Sequence, residues 1–272
     1  MLDAMTVDAE TISRVTLETT AGVATLTLNS PAARNALSLA MIEALSVRLD
    51  AIAGRNDIRV VVLQAEGPAF CAGHDLKELT AHRNDPDRGR AFFAKTMQAC
   101  SALMQKIVEL PQPVVAAVDE MATAAGCQLV ASCDLAVAGP RARFCTPGVD
   151  IGLFCSTPAV AVSRSIAPKH AMEMLLTGVP IGAEAALRVG LVNRIAAEGA
   201  RAGAQALAQL IARKSPQAIR FGKKAFYAQR EKTLAEAYEL ASATMVENML
   251  AEDANEGIAA FIEKRSPTWA EK

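Results

Sequence analysis

The sequence has no surplus of either charge: 28 lysine and arginine residues stand against 29 aspartate and glutamate, for a net charge of −1. That balance excludes the dense basic face by which proteins hold nucleic acid. With 21% charged residues it also excludes a disordered, self-repelling chain. Small anions stay admissible as partners, because net charge does not say where charges cluster. Long apolar runs are missing too: no stretch approaches the roughly 18 residues that a membrane helix requires, so no membrane span is expected. Residues 1–10 contain Asp3, Asp8 and Glu10 and no basic residue ahead of an apolar run. They read as neither a secretory nor a mitochondrial leader, which gives the expectation of a cytoplasmic protein. The six cysteines (Cys71, Cys100, Cys127, Cys133, Cys145 and Cys155) lack CxxC spacing, and only three histidines exist. Neither a metal site nor a disulfide framework is supported, and the thiols are expected to be reduced and mostly buried.

What is present is a chain of 272 residues, 51% hydrophobic, long enough for one large domain or one domain plus an appendage. Residues 15–18 and 23–28 alternate apolar and branched side chains around Thr20-Ala21-Gly22, which predicts a hairpin. Leu37, Met41, Leu45 and Leu49 recur every four residues and predict an amphipathic helix over 35–50. The valine-rich runs 60–63 and 114–118 predict strands buried on both faces. Strand and helix signals alternate down to Ile195, so residues 1–196 read as a layered α/β body. Beyond Ala197 only helical stretches follow, over about 200–214, 216–230, 233–249 and 251–264. Residues 197–272 therefore form a helical carboxyl-terminal region, whose apolar faces need cover from the body or from another subunit.

Two segments join a small-residue turn to a helix. In Phe70-Cys71-Ala72-Gly73-His74-Asp75-Leu76, Asp75 suits the cap of a helix over 76–81, leaving amide groups near His74 pointing outward. Such a helix start polarises an anion or a carbonyl oxygen, and it is equally an ordinary capped turn. In Ala122-Thr123-Ala124-Ala125-Gly126-Cys127-Gln128, side chains are so small that a ligand can approach the amides of Ala125 and Gly126; close helix packing requires the same composition. Together the two turns supply a pair of donors of the kind that forms an oxyanion hole.

With these turns in place, the chain resembles the enoyl-CoA hydratase/isomerase (crotonase) superfamily, most closely its subgroup of enoyl-CoA hydratase domain-containing protein 3. The resemblance runs from Asn29-Ser30-Pro31 and Arg34-Asn35-Ala36-Leu37 through both turns and Cys133-Asp134. It continues through Thr177-Gly178, Ala183 to Ala186 and Gly190-Leu191-Val192, and ends with Ala260-Phe261-Ile262-Glu263-Lys264-Arg265-Ser266-Pro267. It implies an α/β fold, a crotonase-like spiral of strand-strand-helix units with a helical carboxyl-terminal trimerisation region, assembled as a homotrimer or a hexamer. The implied ligand is an acyl-coenzyme A thioester, with coenzyme A entering as part of the substrate and no permanently bound cofactor.

By the same resemblance, the backbone amides of His74 and Ala125 grip the thioester oxygen, where an enolate would develop its charge. Ala72, Gly73, Gly126, Arg34 and Lys264 are implied along the coenzyme, with Arg34 by its phosphates and Lys264 toward its adenine, from an adjacent subunit if need be. Hydratases of the family use two glutamates, and their positions fall here on Gln128 and Gly148. Neither residue exchanges protons near neutral pH. Each positioned acid or base contributes about 10² to 10⁴ in rate, so a chain without both is expected to be a poor hydratase. Candidates for replacement are Asp150, the His74 imidazole and the polar run Cys155-Ser156-Thr157; His82 and His170 read as surface residues. Three activities remain open: enolate chemistry without a glutamate, by decarboxylation; bicarbonate in the gap by Thr146 and Gly148; and acyl-coenzyme A binding without turnover.

Overall fold

The computed structural model describes residues 8–270, so most of the amino-terminal segment discussed above lies outside the described residues. A short helix α1 (Ala9–Ser13) leads into the hairpin β1 (Val15–Thr20) and β2 (Val23–Leu28). Ala21 and Gly22 both take positive φ, as a two-residue hairpin turn demands. Helix α2 (Leu39–Ala53) starts four residues later than the apolar spacing suggests. Arg34 and Asn35 are left-handed and Leu37 bridges to His74, so the helix waits for its cap, the extended Ser38, which accepts from the Met41 amide.

A repeating pattern follows. Strands β3 (Val60–Ala65) and β4 (Ala69–Cys71) precede helices α3 (Leu76–Ala81) and α4 (Arg90–Glu109). Strands β5 (Val114–Val118) and β6 (Met121–Thr123) precede α5 (Ala125–Ser132). Strands β7 (Leu135–Ala138) and β8 (Arg143–Cys145) precede α6 (Ser156–Ser165) and α7 (Pro168–Thr177). In each turn of this spiral the first strand joins one sheet and the second joins another. The large sheet has the order β1-β2-β3-β5-β7-β10 and the small one β4-β6-β8-β9, with β9 (Ile181–Gly182), α8 (Ala183–Val189) and β10 (Arg194–Ile195) completing the body. Pairing is parallel except at β1/β2 and β8/β9.

The valine runs are explained by cover on both sides. One face of the large sheet belongs to the main core, with Leu26, Val61, Leu63 and Val114 among its members. The other face (Val23, Val60, Val62, Val115, Val137) packs against Ala200, Ala204, Leu207 and Ala208 of α9 (Ala200–Ala212). Asp119 fixes the start of that helix by accepting from the Ala200 amide at 2.7 Å. Helices α10 (Pro216–Gln229), α11 (Leu234–Met249) and α12 (Glu252–Ile262) follow. A half-buried pair ties α10 to the body: Lys223 Nζ lies 2.7 Å from the Asp134 carboxylate, which also accepts from the Tyr227 hydroxyl at 2.9 Å and the Val114 amide at 2.7 Å.

Candidate functional site

Each small-residue turn leaves a strand of the small sheet. β4 and β6 are three residues each and pair in parallel, Ala69 with Met121 and Cys71 with Ala122. Parallel neighbours end on the same side, so the turns after them are brought together by topology. Neither strand stands out from its composition, and the valine runs before them belong to the other sheet.

The first turn is held from behind by residues 34–37. The Asn35 side chain, fully buried, accepts from the Ser30 amide at 2.8 Å and donates to the Glu66 and Ala69 carbonyls at 2.8 and 2.9 Å. The Arg34 carbonyl accepts from the Ala72 amide at 3.0 Å, and the Leu37 amide donates to the Gly73 carbonyl at 2.7 Å. Gly73 has φ +85°. Asp75 then caps α3 by accepting from the Lys77 and Glu78 amides.

The second turn is strained. Ala124 sits at φ 50°, ψ −116°, a region costly for any residue with a Cβ. Its amide donates to the Cys145 carbonyl at 2.9 Å and its carbonyl accepts from Gln128 at 3.0 Å, which hold it there. The result is a helix that starts at Ala125 with its first amides open.

The two turns touch. A Cβ on Gly73 would lie 3.0 Å from the Ala124 Cβ and 3.4 Å from the Ala125 nitrogen, and a Cβ on Gly126 would lie 2.2 Å from the Cys71 carbonyl oxygen. Among the described residues, neither the His74 nor the Ala125 amide donates to a backbone carbonyl. An electron-rich oxygen is what such a pair of donors can hold.

The His74 imidazole lies at the same turn. Its Nδ1 is 3.3 Å from the Leu37 carbonyl oxygen, so Nδ1 carries the proton of that hydrogen bond. Its Nε2 is buried without a partner. Burial pushes the imidazole below its ordinary value, against the smaller opposing effect of the Leu37 carbonyl. Gln128, one turn into α5, is 3% exposed and its Oε1 also lacks a partner. Gln128 further borders a cavity of about 690 Å³ between α4, α5, α6 and α10, with Met104, Val130, Val160 and Phe226 on its walls.

The position of the second glutamate is filled. A Cβ on Gly148 would come within 2.8 Å of the Leu153 carbonyl oxygen and 2.9 Å of Cys155 Sγ. Cys155 Sγ thus lies beside Gly148, and the buried Thr146 hydroxyl donates to the Met174 carbonyl at 2.8 Å. All six cysteines are buried and free. Burial pushes the thiols of Cys127, Cys145 and Cys155 up, away from thiolate.

Asp150 is exposed, with its carboxylate over Gly178, not in the buried site. Arg34 is exposed beside the first turn, and among the described residues its side chain has no ion pair. Lys264 is exposed past the end of α12, a helix that packs on α10 and α11. His170 is exposed, while His82 is half-buried, bonded to Asp85 and stacked on Phe92 at 3.6 Å. Two contributors escape sequence reading: the Asn35 clamp and the Asp134–Lys223 pair, whose partners lie 31 to 34 and 89 residues away. Among the described residues no cluster of three metal-ligating side chains occurs, and no helix is long and apolar enough to cross a membrane.

The chain is similar to known proteins over most of its length. A family model described as enoyl-CoA hydratase/isomerase matches residues 18–272. The rat enoyl-CoA hydratase domain-containing protein 3, mitochondrial, is 47% identical over 92% of this chain and 82% of its own length. The 2,3-dehydroadipyl-CoA hydratase of Escherichia coli is 34% identical over 89% and 92%. Among solved structures, an enoyl-CoA hydratase of Mycobacterium smegmatis superposes with a TM-score of 0.89 at 46% identity, covering 94% of this chain and 98% of that one. The human enoyl-CoA hydratase domain-containing protein 3 gives 0.89 at 44%, covering 94% and 100%. The rat, mouse and human relatives are named as mitochondrial, which overturns the expectation of a cytoplasmic protein.

Proposed function

The chain belongs to the enoyl-CoA hydratase/isomerase family, and on that premise we propose that it holds an acyl-coenzyme A thioester by its carbonyl oxygen and stabilises the enolate formed there. The observation that carries this reading is the contact of two turns, pressed together at Gly73 and Gly126, with the amides of His74 and Ala125 left open. As negative charge grows on the oxygen these donors strengthen; a single such donor is worth about 2.7 to 4 kcal/mol of barrier. Coenzyme A enters with the substrate, its phosphates toward the unpaired Arg34, with Ala72, Gly73 and Gly126 along the approach.

Efficient hydration of a double bond is not part of this reading. Gln128 exchanges no proton, and Cys155 and the Leu153 carbonyl fill the space a glutamate at 148 would need. Decarboxylation of a malonyl-type thioester is a second reading, favoured by the absence of a carboxylate at the two usual positions: loss of carbon dioxide leaves its electron pair in the enolate and asks for no base. Oligomerisation, as a trimer or a dimer of trimers, is supported by the large apolar side chains left exposed on α11 and α12, among them Leu234, Tyr238, Phe261 and Ile262. Lys264 reaches the adenine of a neighbouring subunit's ligand in such an assembly. The naming of the rat, mouse and human relatives as mitochondrial favours a mitochondrial setting.

The test is a screen of acyl-coenzyme A thioesters, malonyl and enoyl types included, with product masses recorded and binding followed by calorimetry. Saturable binding with thioester-dependent turnover is expected. Binding without turnover of any thioester would leave a binding protein, and no binding would end the reading.

A further inference from the structure

The proposed enolate must gain or lose a proton at carbon, and the usual carboxylates are not there to move it. The other groups around the two turns are committed or out of place. Asp75 Oδ1 accepts from two amides of its own helix, and Glu78 accepts from the Leu39 amide at 3.1 Å. The thiols of Cys71, Cys127, Cys145 and Cys155 are held protonated by burial, Cys71 being pushed up to about 12. Asp150 faces solvent. His74 is different. Its Nδ1 proton is engaged by the Leu37 carbonyl, which fixes the tautomer and leaves the lone pair on Nε2, buried and without a partner. Buried acceptors are normally paired, so an unpaired one beside a binding turn asks for a donor from outside the chain. The first amide of the proposed hole belongs to the same residue, so one residue carries both that donor and this lone pair.

We propose that the His74 imidazole is the proton-transfer group of this site, exchanging a proton with the α-carbon of the bound acyl thioester. Nε2 takes the proton; the electrons of the C–H bond become the carbon–carbon double bond of the enolate, and the carbonyl π pair moves onto the oxygen between the His74 and Ala125 amides. The imidazolium then returns a proton to carbon, restoring both enzyme and thioester. Burial keeps the resting imidazole neutral at pH 7, the form that accepts. This inference rests on the thioester-binding reading above and adds to it a reaction, α-proton exchange of saturated acyl-coenzyme A.

The experiment incubates the full protein with acetyl- and butyryl-coenzyme A in heavy water and follows α-deuteration by proton NMR, alongside calorimetric binding of the same thioesters. Wild type is expected to catalyse deuteration. His74→Gln and His74→Ala keep the backbone amide, so exchange is expected to fall by about 10² to 10⁴, and the fall is read with the thioester saturating each variant as calorimetry defines it. Thermal melts of both variants verify that the fold is retained. Undiminished exchange in a folded His74→Gln variant would overturn the inference, as would wild type that binds but deuterates nothing. Wild type that fails to bind either thioester would overturn the binding reading itself, and this inference with it.

Discussion

Gly126 sits so close to Cys71 that a Cβ on the glycine would approach the Cys71 carbonyl oxygen to 2.2 Å. The contact joins the start of α5 to the end of β4, and so sets the separation of the two open amides. Gly126→Ala is expected to push α5 away, at a cost of about 1 to 3 kcal/mol for forced overpacking. Urea unfolding measures that cost, and calorimetry is expected to show weakened thioester binding in the same variant. A variant with wild-type stability and affinity would show that the contact does not set the site.

Gly73 allows a second, more selective change. Its φ of +85° disfavours a side chain, by roughly 1 to 2 kcal/mol, and a Cβ there would press on the second turn, 3.0 Å from the Ala124 Cβ and 3.1 Å from the Thr123 carbonyl oxygen, just ahead of the Ala125 amide. Gly73→Ala is therefore expected to obstruct the hole more than it destabilises the fold. Turnover should fall by more than the loss in melting stability explains, as read from kcat/KM beside a thermal melt.

The vacant carboxylate positions are unequal. Gln128→Glu places an acid on α5 without steric change, yet crotonyl-coenzyme A hydration is expected to stay several powers of ten below that of a relative with both glutamates. Gly148→Glu is expected to destabilise, because its Cβ meets the Leu153 carbonyl and Cys155 Sγ inside 3 Å. Hydration rates by absorbance at the enoyl thioester band check both, and ordinary hydratase turnover in the wild-type protein would contradict the account.

Burial of His74 links stability to pH. Its folded-state value lies below the ordinary 6.5, so between the two values the unfolded chain binds more protons than the folded one, and stability rises with pH through that window. As pH falls below 6.5 toward the folded value, the wild type is expected to lose stability that His74→Gln keeps. Melting curves of both proteins on either side of 6.5 measure the difference.

Removing the charge that ties α10 to the body has a larger effect. Lys223→Met leaves the Asp134 carboxylate half-buried with only the Tyr227 hydroxyl and the Val114 amide as partners. A loss approaching the roughly 3 to 5 kcal/mol of broken buried pairs is expected, read from denaturant midpoints.

Much of this was legible in the residues, and the gaps have physical causes. The valine runs announced strands covered on both faces, and the glycine and alanine turns announced close backbone approach. The helix at 35–50 began too early because Arg34 and Asn35, both left-handed, belong to a clamp whose partners lie more than thirty residues away. The three-residue strands β4 and β6 were missed, since three residues show no period, yet they are what aligns the turns. The sequence shows Gln128 and Gly148 but not that Cys155 Sγ and the Leu153 carbonyl lie against Gly148, which depends on how the loop at 148–155 folds back. The strain at Ala124 leaves no mark in a sequence of alanines.

The central claim is that two backbone amides polarise a thioester carbonyl. Its most direct test is the infrared stretch of a carbonyl-labelled acetyl-coenzyme A bound to the protein. The account expects the band to move to lower frequency than in water, and to move back in Gly73→Ala. A bound carbonyl with the frequency it has in water would contradict it.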